Sequence, residues 1–275
     1  VNNFIKLHKK VKPRCDILLL PPTLYLNMIL SRLRHHRISL RKISLGVQNI
    51  SPFLNGAYTG EQSVDMIKDY KCSFSLIGHS ERRHILLEDE KMIASKVKLS
   101  LQANLNTILC VGETLKEYNH KLTKKVISRQ LRSALSKSTH LFKSDHSKVI
   151  IAYEPVWAIG TGKAAISKDI VEVHSYIRQV LNKILGSKSN SIRILYGGSV
   201  NADNAKSILN LPDVNGALVG GASLNSKKFI DICSSIWDKY IMQTLILSIH
   251  IFLAIALIVL ILVQHGTGAD AAAAF

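Results

Sequence analysis

The sequence predicts a parallel α/β fold that is followed by an apolar helix. Over the first 240 residues, seven short segments rich in β-branched and aliphatic residues alternate with longer amphipathic segments. Alternation at this spacing indicates repeated βαβ units and a parallel sheet, either doubly wound and open or closed into a barrel. A chain of 275 residues is long enough to bury such a core.

The apolar patterns place the individual elements. Continuous apolar runs predict buried strands at residues 16–20, 43–47, 74–77, 107–111, 148–153, 192–196 and 217–219. Apolar residues three and four apart predict helices at residues 89–103, 122–136, 168–185 and 226–239. Residues 4–11 predict a further amphipathic helix, with apolar residues among lysines, that no strand precedes. We therefore expect an eighth strand to be missing upstream of Val1.

The composition limits the class of partner. Charged residues make up 20% and hydrophobic residues 47% of the chain, which excludes extended disorder. The net charge of +17 fits nucleic acid, an anionic membrane surface or phosphorylated metabolites. The positive charge is scattered and aromatic residues are only 6% of the chain, so no nucleic-acid partner is expected. Cys15, Cys72, Cys110 and Cys233 form no C-x-x-C pair, which favours a reduced, cytosolic core.

Two candidate acid–base groups follow predicted strands, where parallel α/β folds carry their working residues. His79 follows segment 74–77, and Ser80 is placed to cap a helix whose N-terminus would favour a neutral imidazole. Glu154 follows segment 148–153 and suits a general base unless a cation pairs with it. The alternatives are that His79 is a satisfied polar residue at a cap and that Glu154 belongs to a buried ion pair.

Glycines at three strand ends indicate a phosphate site. The Gly-rich run that ends at Lys163 can move as a lid whose N–H groups meet a phosphate, with its ends fixed by Pro155 and Trp157. Paired glycines follow the last two predicted strands, at Gly197-Gly198 and Gly220-Gly221. Tight turns also use paired glycines, but two such pairs match the phosphate site that barrel enzymes build after their last two strands.

Four segments resemble the triosephosphate isomerase family, in order and with the family's spacing from residue 1 to about 239. They are IGHSERR at 77–83, YEPVWAIGTGK at 153–163, YGGSV at 196–200 and GALVGGAS at 216–223. The resemblance implies an α/β fold over residues 1–240, a (β/α)8 TIM barrel lacking its first strand. It also implies a cytoplasmic isomerase of glycolysis and gluconeogenesis that interconverts dihydroxyacetone phosphate and glyceraldehyde 3-phosphate.

The resemblance assigns roles to residues, since this family is a standard example of acid–base pairing. Glu154 becomes the base that moves a proton between two carbons, and neutral His79 becomes the electrophile that polarises the carbonyl through an enediolate. Residues 155–163 become the closing loop. The phosphate ligands implied are Gly160, Ser199, Gly220 and Gly221.

The resemblance implies partners as well. The substrate is a triose phosphate, and no metal or organic cofactor is implied. Residues 55–61 resemble the family's interdigitating dimer loop, which implies a homodimer. The alternative for this loop is a polar turn before a helix.

One part of the family pattern has no counterpart in the sequence. The family begins with a strand that ends in Asn-x-Lys, whose lysine helps to hold the phosphate and the developing oxyanion. The lysines at 6, 9, 10 and 12 align with the first helix, outside the barrel mouth, and Glu81 loses the lysine with which it would pair. We therefore expect impaired activity. The alternative function is that of a membrane-tethered inactive barrel that acts as a binding protein.

The composition changes abruptly near residues 240–242. From Leu245 to Val263 no residue is charged, and this length is close to the roughly 20 residues that a helix needs to cross a bilayer. The change predicts a second unit at residues 241–275, a membrane contact and an inner-membrane tether. Residues 242–244 and 264–275 resemble the start of the SecG subunit of the bacterial protein-export channel, with a simple tail anchor as the alternative.

Overall fold

The computed structural model of the chain describes residues 1–142, 148–159 and 165–266. These residues contain a seven-stranded sheet in the order β1 to β7, and every neighbouring pair of strands is parallel. The strands are β1 Ile17–Leu19, β2 Ile43–Val47, β3 Phe74–Ile77, β4 Asn106–Val111, β5 Val149–Tyr153, β6 Arg193–Tyr196 and β7 Gly216–Ala217. Within the described residues, β1 and β7 do not pair with each other.

Helices connect the strands and cover the outside of the sheet. They are α1 Asn2–Val11, α2 Leu26–His35, α3 Val64–Asp69, α4 Ser80–His84, α5 Glu90–Gln102, α6 Leu115–Asn119, α7 Thr123–Leu135, α8 Ser167–Leu185, α9 Ala205–Leu209 and α10 Ser226–Gly266. The alternation of strand and helix confirms the predicted β/α barrel with seven of its eight strands. The seven predicted strands are confirmed, with ends that differ by one or two residues.

The sheet buries apolar side chains on both faces, because successive strand residues point to opposite sides. The inner face contributes a cluster that contains no helix residue: Leu76, Ile108, Cys110, Ile150 and Ala152. The outer face packs against the helices and forms the larger core, with strand residues such as Leu109 and Ile151. The four cysteines are free thiols; three are buried and Cys15 is half-buried.

The last helix continues well beyond its predicted end. The helix predicted at 226–239 is part of α10, which runs without interruption to Gly266. Its stretch Thr244–Leu262 has the length and composition to cross a membrane, and none of this stretch is buried against the barrel. Residues 267–275 of the predicted second unit lie outside the described residues.

Candidate active site

Two acid–base side chains meet at the carboxyl ends of β3 and β5. His79 follows β3 and is the N-cap residue of α4, while Glu154 directly follows β5. The Nε2 atom of His79 lies 3.0 Å from Oε1 of Glu154, although β4 separates the two strands in the sheet. The two side chains therefore meet across the carboxyl end of β4.

The Glu154 carboxylate is buried, with 2% of the side chain exposed. Its Oε2 accepts a hydrogen bond of 2.9 Å from the Ser80 backbone N–H. Its Oε1 has no hydrogen-bond partner among the described residues, and Nε2 of His79 lies 3.0 Å from it. Most buried carboxylate oxygens have a donor, so an oxygen without one is available to accept a proton.

The surroundings of His79 act on its pKa in opposite directions. Burial lowers the pKa of the imidazole, but the Glu154 and Glu81 carboxylates outweigh burial and hold the pKa above its ordinary value. The Nδ1 atom accepts the Glu81 N–H over 3.4 Å, which requires an unprotonated Nδ1, and the Glu81 carboxylate lies 3.6 Å from the same atom. If Glu154 moved away from His79, burial would become the main effect on the His79 pKa, and burial favours the neutral imidazole.

Sequence reasoning missed Glu113, a fully buried carboxylate whose partners, Tyr153 and Trp157, flank Glu154 in the sequence. Its Oε1 accepts hydrogen bonds from the Tyr153 hydroxyl (3.1 Å) and from the Trp157 indole N–H (2.9 Å). Burial raises the pKa of Glu113. Glu113 thereby anchors the turn Val156–Ala158 that follows Glu154. Its position shortly after β4 was the available signal in the sequence.

Gly112 packs so closely on Glu154 that no side chain fits between them. A Cβ atom at Gly112 would lie 1.7 Å from the Glu154 carbonyl oxygen. The Gln130 side chain holds this glycine by accepting from its N–H (2.8 Å) and donating to its carbonyl oxygen (3.0 Å). The backbone after β4 is therefore in direct contact with the backbone that carries Glu154.

Both ends of the predicted lid are fixed to the region of β6. Residues 160–164, with the predicted phosphate ligand Gly160, lie outside the described residues. Before them, the Ala158 carbonyl accepts a hydrogen bond of 2.9 Å from the Ser199 hydroxyl. After them, the Ala165 N–H donates to the Tyr196 hydroxyl over 3.2 Å. Ser199, predicted as a phosphate ligand, thus contacts the base of the lid.

The other predicted phosphate ligands follow β7, the neighbour of β6. Gly220 and Gly221 are exposed, and a Cβ atom on either would meet nothing within 4 Å. The Ser223 N–H and hydroxyl donate to the Gly220 carbonyl over 2.9 and 2.7 Å. This turn therefore leaves open space at the carboxyl end of the sheet, beside the turn that carries Ser199.

A groove of about 250 Å³ lies near the carboxyl ends of β1 and β2. It is lined by polar residues that include Gln48, Glu61 and Arg82. The loop next to it exposes Leu54, and the Phe53 and Tyr58 rings stack there with centroids 4.3 Å apart. Arg82 lies on α4, the helix that His79 caps, so the groove adjoins the segment that carries His79.

The sheet is parallel and has a buried carboxylate and an imidazole at its carboxyl end. This combination is typical of the class of β/α-barrel enzymes. A sequence model of the family described as triosephosphate isomerase matches residues 1–236. Similar proteins named triosephosphate isomerase occur in Lawsonia intracellularis, Zygosaccharomyces bailii and Marinobacter nauticus, with 46%, 44% and 43% identity. The alignments cover 84%, 82% and 80% of this chain and 89%, 87% and 83% of the relatives. The chain belongs to the triosephosphate isomerase family.

Proposed function

We propose that this chain is an aldose–ketose isomerase that interconverts dihydroxyacetone phosphate and glyceraldehyde 3-phosphate, a reaction of glycolysis and gluconeogenesis. The observation that carries the proposal is the buried Oε1 of Glu154, which accepts no hydrogen bond from the described residues and lies 3.0 Å from His79. Family membership over residues 1–236 supplies the substrate. The resemblance of the four sequence segments supplies the roles of the residues.

Glu154 acts as the base. It takes a proton from C1 of dihydroxyacetone phosphate, and the electron pair of the C–H bond becomes the C1–C2 double bond of an enediolate. The oxyanion at C2 takes a proton from His79, which in turn accepts the proton of the C1 hydroxyl. Glu154 then returns its proton to C2, and the aldehyde forms at C1. Every proton that leaves the substrate is thereby replaced.

His79 works as a neutral electrophile in this scheme. While Glu154 lies beside it, the carboxylate raises the pKa of the imidazole. When Glu154 turns to the carbon of the substrate, that stabilisation of the imidazolium is lost, and burial favours the neutral ring. A neutral ring can donate from Nε2 to the substrate oxygen while Nδ1 accepts the Glu81 N–H.

The phosphate group binds at the turns after β6 and β7. Ser199, Gly220 and Gly221 supply the ligands there, and Gly160 on the lid supplies another. Open space around Gly220 and Gly221 supports this assignment, because backbone N–H groups must approach an oxyanion closely. The hydrogen bond between Ser199 and Ala158 supports coupling between phosphate binding and lid closure.

A second copy of the chain occupies the groove of about 250 Å³, which makes the protein a homodimer. Exposed apolar side chains that neighbour groove-lining residues in the sequence support this assignment: Phe53 and Leu54 precede Gly60, and Ile85 and Leu87 follow Arg82. Exposed apolar patches are typical of protein interfaces. The loop at residues 55–61 would insert into the groove of the partner.

The barrel at residues 1–240 works in the cytoplasm, and residues 241–275 tether it to the inner membrane. The exposed apolar stretch Thr244–Leu262 supports the tether. Lys239 precedes the span and residues 264–275 contain no lysine or arginine, which favours a cytosolic side for the barrel. The tail resembles the first helix of SecG, but a folded barrel upstream keeps it from working as an export subunit.

Turnover in heavy water tests the proposed reaction. The full chain, purified in detergent, should convert glyceraldehyde 3-phosphate and incorporate deuterium at carbon, because a proton held on Glu154 exchanges with solvent before it returns. The Glu154→Gln variant should do neither. A folded chain that binds triose phosphate without turnover or exchange would instead favour the inactive binding protein.

A further inference from the structure

A band of cations lies at the end of the barrel from which α10 emerges. We propose that this band docks on an anionic phospholipid surface, and we call it the basic edge. It consists of Lys9, Lys12, Arg34, Arg37, Arg41 and Lys42, all of which are exposed. The inference rests on the proposed membrane tether, and it assigns the barrel itself a lipid-binding face.

The order of the elements places these cations at one edge of the sheet. Helix α1 precedes β1 and helix α2 precedes β2, and a helix between parallel strands runs antiparallel to them. The carboxyl ends of both helices therefore lie where the strands begin. Lys12 directly follows α1, and residues 37–42 connect α2 to β2.

Helix α10 reaches the same edge and leaves the barrel there. The rings of Phe229 in α10 and Phe4 in α1 pack with centroids 5.8 Å apart. One turn further along α10, the Cys233 carbonyl accepts a hydrogen bond of 3.6 Å from the thiol of Cys15, which lies just before β1. Beyond Cys233, α10 therefore extends past the basic edge towards its apolar stretch.

Cations from α1 and α2 act on the same histidine, His36. Burial and then Lys9, His35, Arg32 and Lys6 lower the pKa of His36. Burial and then Lys42 lower the pKa of His8. Like charges on two helices are thus concentrated on one surface, where they repel one another.

The described part of the chain does not neutralise this surface. None of the six cations of the basic edge forms an ion pair with a described carboxylate. Asp16, the acidic residue just before β1, already pairs with Arg193 over 2.9 Å. An external anionic surface would therefore relieve the repulsion.

The dimensions of α10 bring the basic edge within range of lipid headgroups. The helix rises about 16 Å between Cys233 and Thr244, where the apolar stretch begins. Headgroups occupy roughly 5–7 Å of that distance. A gap of roughly 10 Å therefore remains between the headgroups and the level of Cys233, and this gap is close to the Debye length of about 8 Å at physiological ionic strength. The length of the lysine and arginine side chains shortens the gap further.

Lipid fits this surface better than nucleic acid does. An apolar span on the same helix holds the basic edge at a bilayer, and anionic leaflets attract cations next to a span. Single-stranded nucleic acid is bound with aromatic stacking platforms, and residues 32–42 contain no Phe, Tyr or Trp. The phospholipid headgroup is therefore the anion that the observations favour.

Amine footprinting of the full chain tests the proposal. The chain is inserted into preformed vesicles of phosphatidylcholine, with or without phosphatidylglycerol, and treated with a water-soluble acylating reagent. In anionic vesicles the reactivity of Lys9, Lys12 and Lys42 should fall about fivefold and recover in about 0.5 M NaCl. The exposed Lys91, Lys116 and Lys121, near the opposite edge, are internal controls and should not change.

Two variants with the same change in net charge separate location from overall charge. The triple variant Arg37→Glu, Arg41→Glu and Lys42→Glu should abolish the lipid-dependent protection of Lys9 and Lys12. The matched variant Lys91→Glu, Lys116→Glu and Lys121→Glu should retain it. Thermal melts of both variants establish that the barrel is folded. Equal protection of Lys9 in neutral and anionic vesicles, for the wild-type chain, would overturn the proposal.

Carbonate extraction of the same vesicles reports separately on the tether. If carbonate releases the chain from the vesicles but the lysines are still protected by anionic lipid, the tether is refuted and lipid docking by the basic edge is supported. Retention of the chain without protection would support the tether and overturn the basic edge. Protection by a single-stranded oligonucleotide at physiological salt, with none by phosphatidylglycerol, would overturn the choice of lipid.

Discussion

The Ser80 backbone N–H donates a hydrogen bond of 2.9 Å to Oε2 of Glu154, which joins two residues 74 positions apart in the sequence. Ser80 is the first residue of α4, so the carboxylate at the end of β5 is held by a helix N-terminus that follows β3. Oε2 is thereby occupied, and Oε1 is left without a donor among the described residues. One carboxylate thus has a positioning oxygen and a free oxygen.

Substitution of Glu154 should remove turnover and preserve the fold. In the Glu154→Gln variant the amide oxygen can still accept the Ser80 N–H, but the amide cannot take a proton from carbon, so kcat should fall about 10³-fold. A steady-state isomerase assay and a thermal melt measure the two effects. Glu172→Gln is the matched control, because Glu172 is an exposed carboxylate paired with Lys124. Turnover of Glu154→Gln within tenfold of wild type would refute the assignment.

His174 should make the protein sensitive to acid. Its Nδ1 lies 3.0 Å from the Asp213 carbonyl, its Nε2 has no hydrogen-bond partner among the described residues, and burial lowers its pKa to about 4. Between pH 6.5 and about 4, this histidine binds a proton in the unfolded chain but not in the folded chain. The free energy of unfolding therefore decreases as the pH falls through this window. The loss from this residue is about 3 kcal/mol.

Chemical denaturation of the detergent-solubilised chain at several pH values measures this effect. The His174→Gln variant should lose much less stability between pH 7 and about pH 4 than the wild-type chain does. His140→Gln is the control, because His140 is exposed and its substitution should leave the slope unchanged. Identical pH slopes for wild type and His174→Gln would show that His174 is not buried in the neutral form.

Gly112→Ala should damage both stability and turnover. The new Cβ atom would lie 1.7 Å from the Glu154 carbonyl oxygen, so the backbone must move and Glu154 moves with it. We expect a loss of about 3 kcal/mol in the free energy of unfolding, together with a fall in kcat. Gly216→Ala is a milder control, since its Cβ atom would meet the Leu195 side chain at 3.0 Å. Wild-type kcat in Gly112→Ala would contradict the close contact.

Removal of the apolar stretch should release the barrel from membranes. Expressed in bacteria, the full chain should sediment with the membrane fraction and resist carbonate extraction, because one uncharged span of this length suffices for insertion. A chain that ends at Lys239 should stay in the supernatant. Carbonate-soluble full-length protein would refute the span.

An added strand should stabilise the sheet. Within the described residues, β1 and β7 each leave one edge without a partner, and exposed edges weaken a sheet. A strand placed before Val1 and ending in Asn-x-Lys should raise the melting temperature and kcat together. The same strand with methionine in place of the lysine should raise the melting temperature alone, because the ammonium that stabilises the oxyanion is absent. Ordinary turnover of the 275-residue chain without any addition would contradict this expectation.

The sequence by itself determined the alternation of strands and helices, the apolar stretch and the segments that contain His79 and Glu154. These features can be predicted from the sequence because the spacing of apolar residues and the motifs at strand ends are local properties of the chain. Tertiary structure decided how the segments act on one another. Only the folded chain brings His79 within 3.0 Å of Glu154, where the Glu154 and Glu81 carboxylates outweigh burial in their effect on the His79 pKa. The contact of Gly112 with Glu154 and the basic edge beside α10 likewise depend on residues far apart in sequence, whose distances no local pattern encodes.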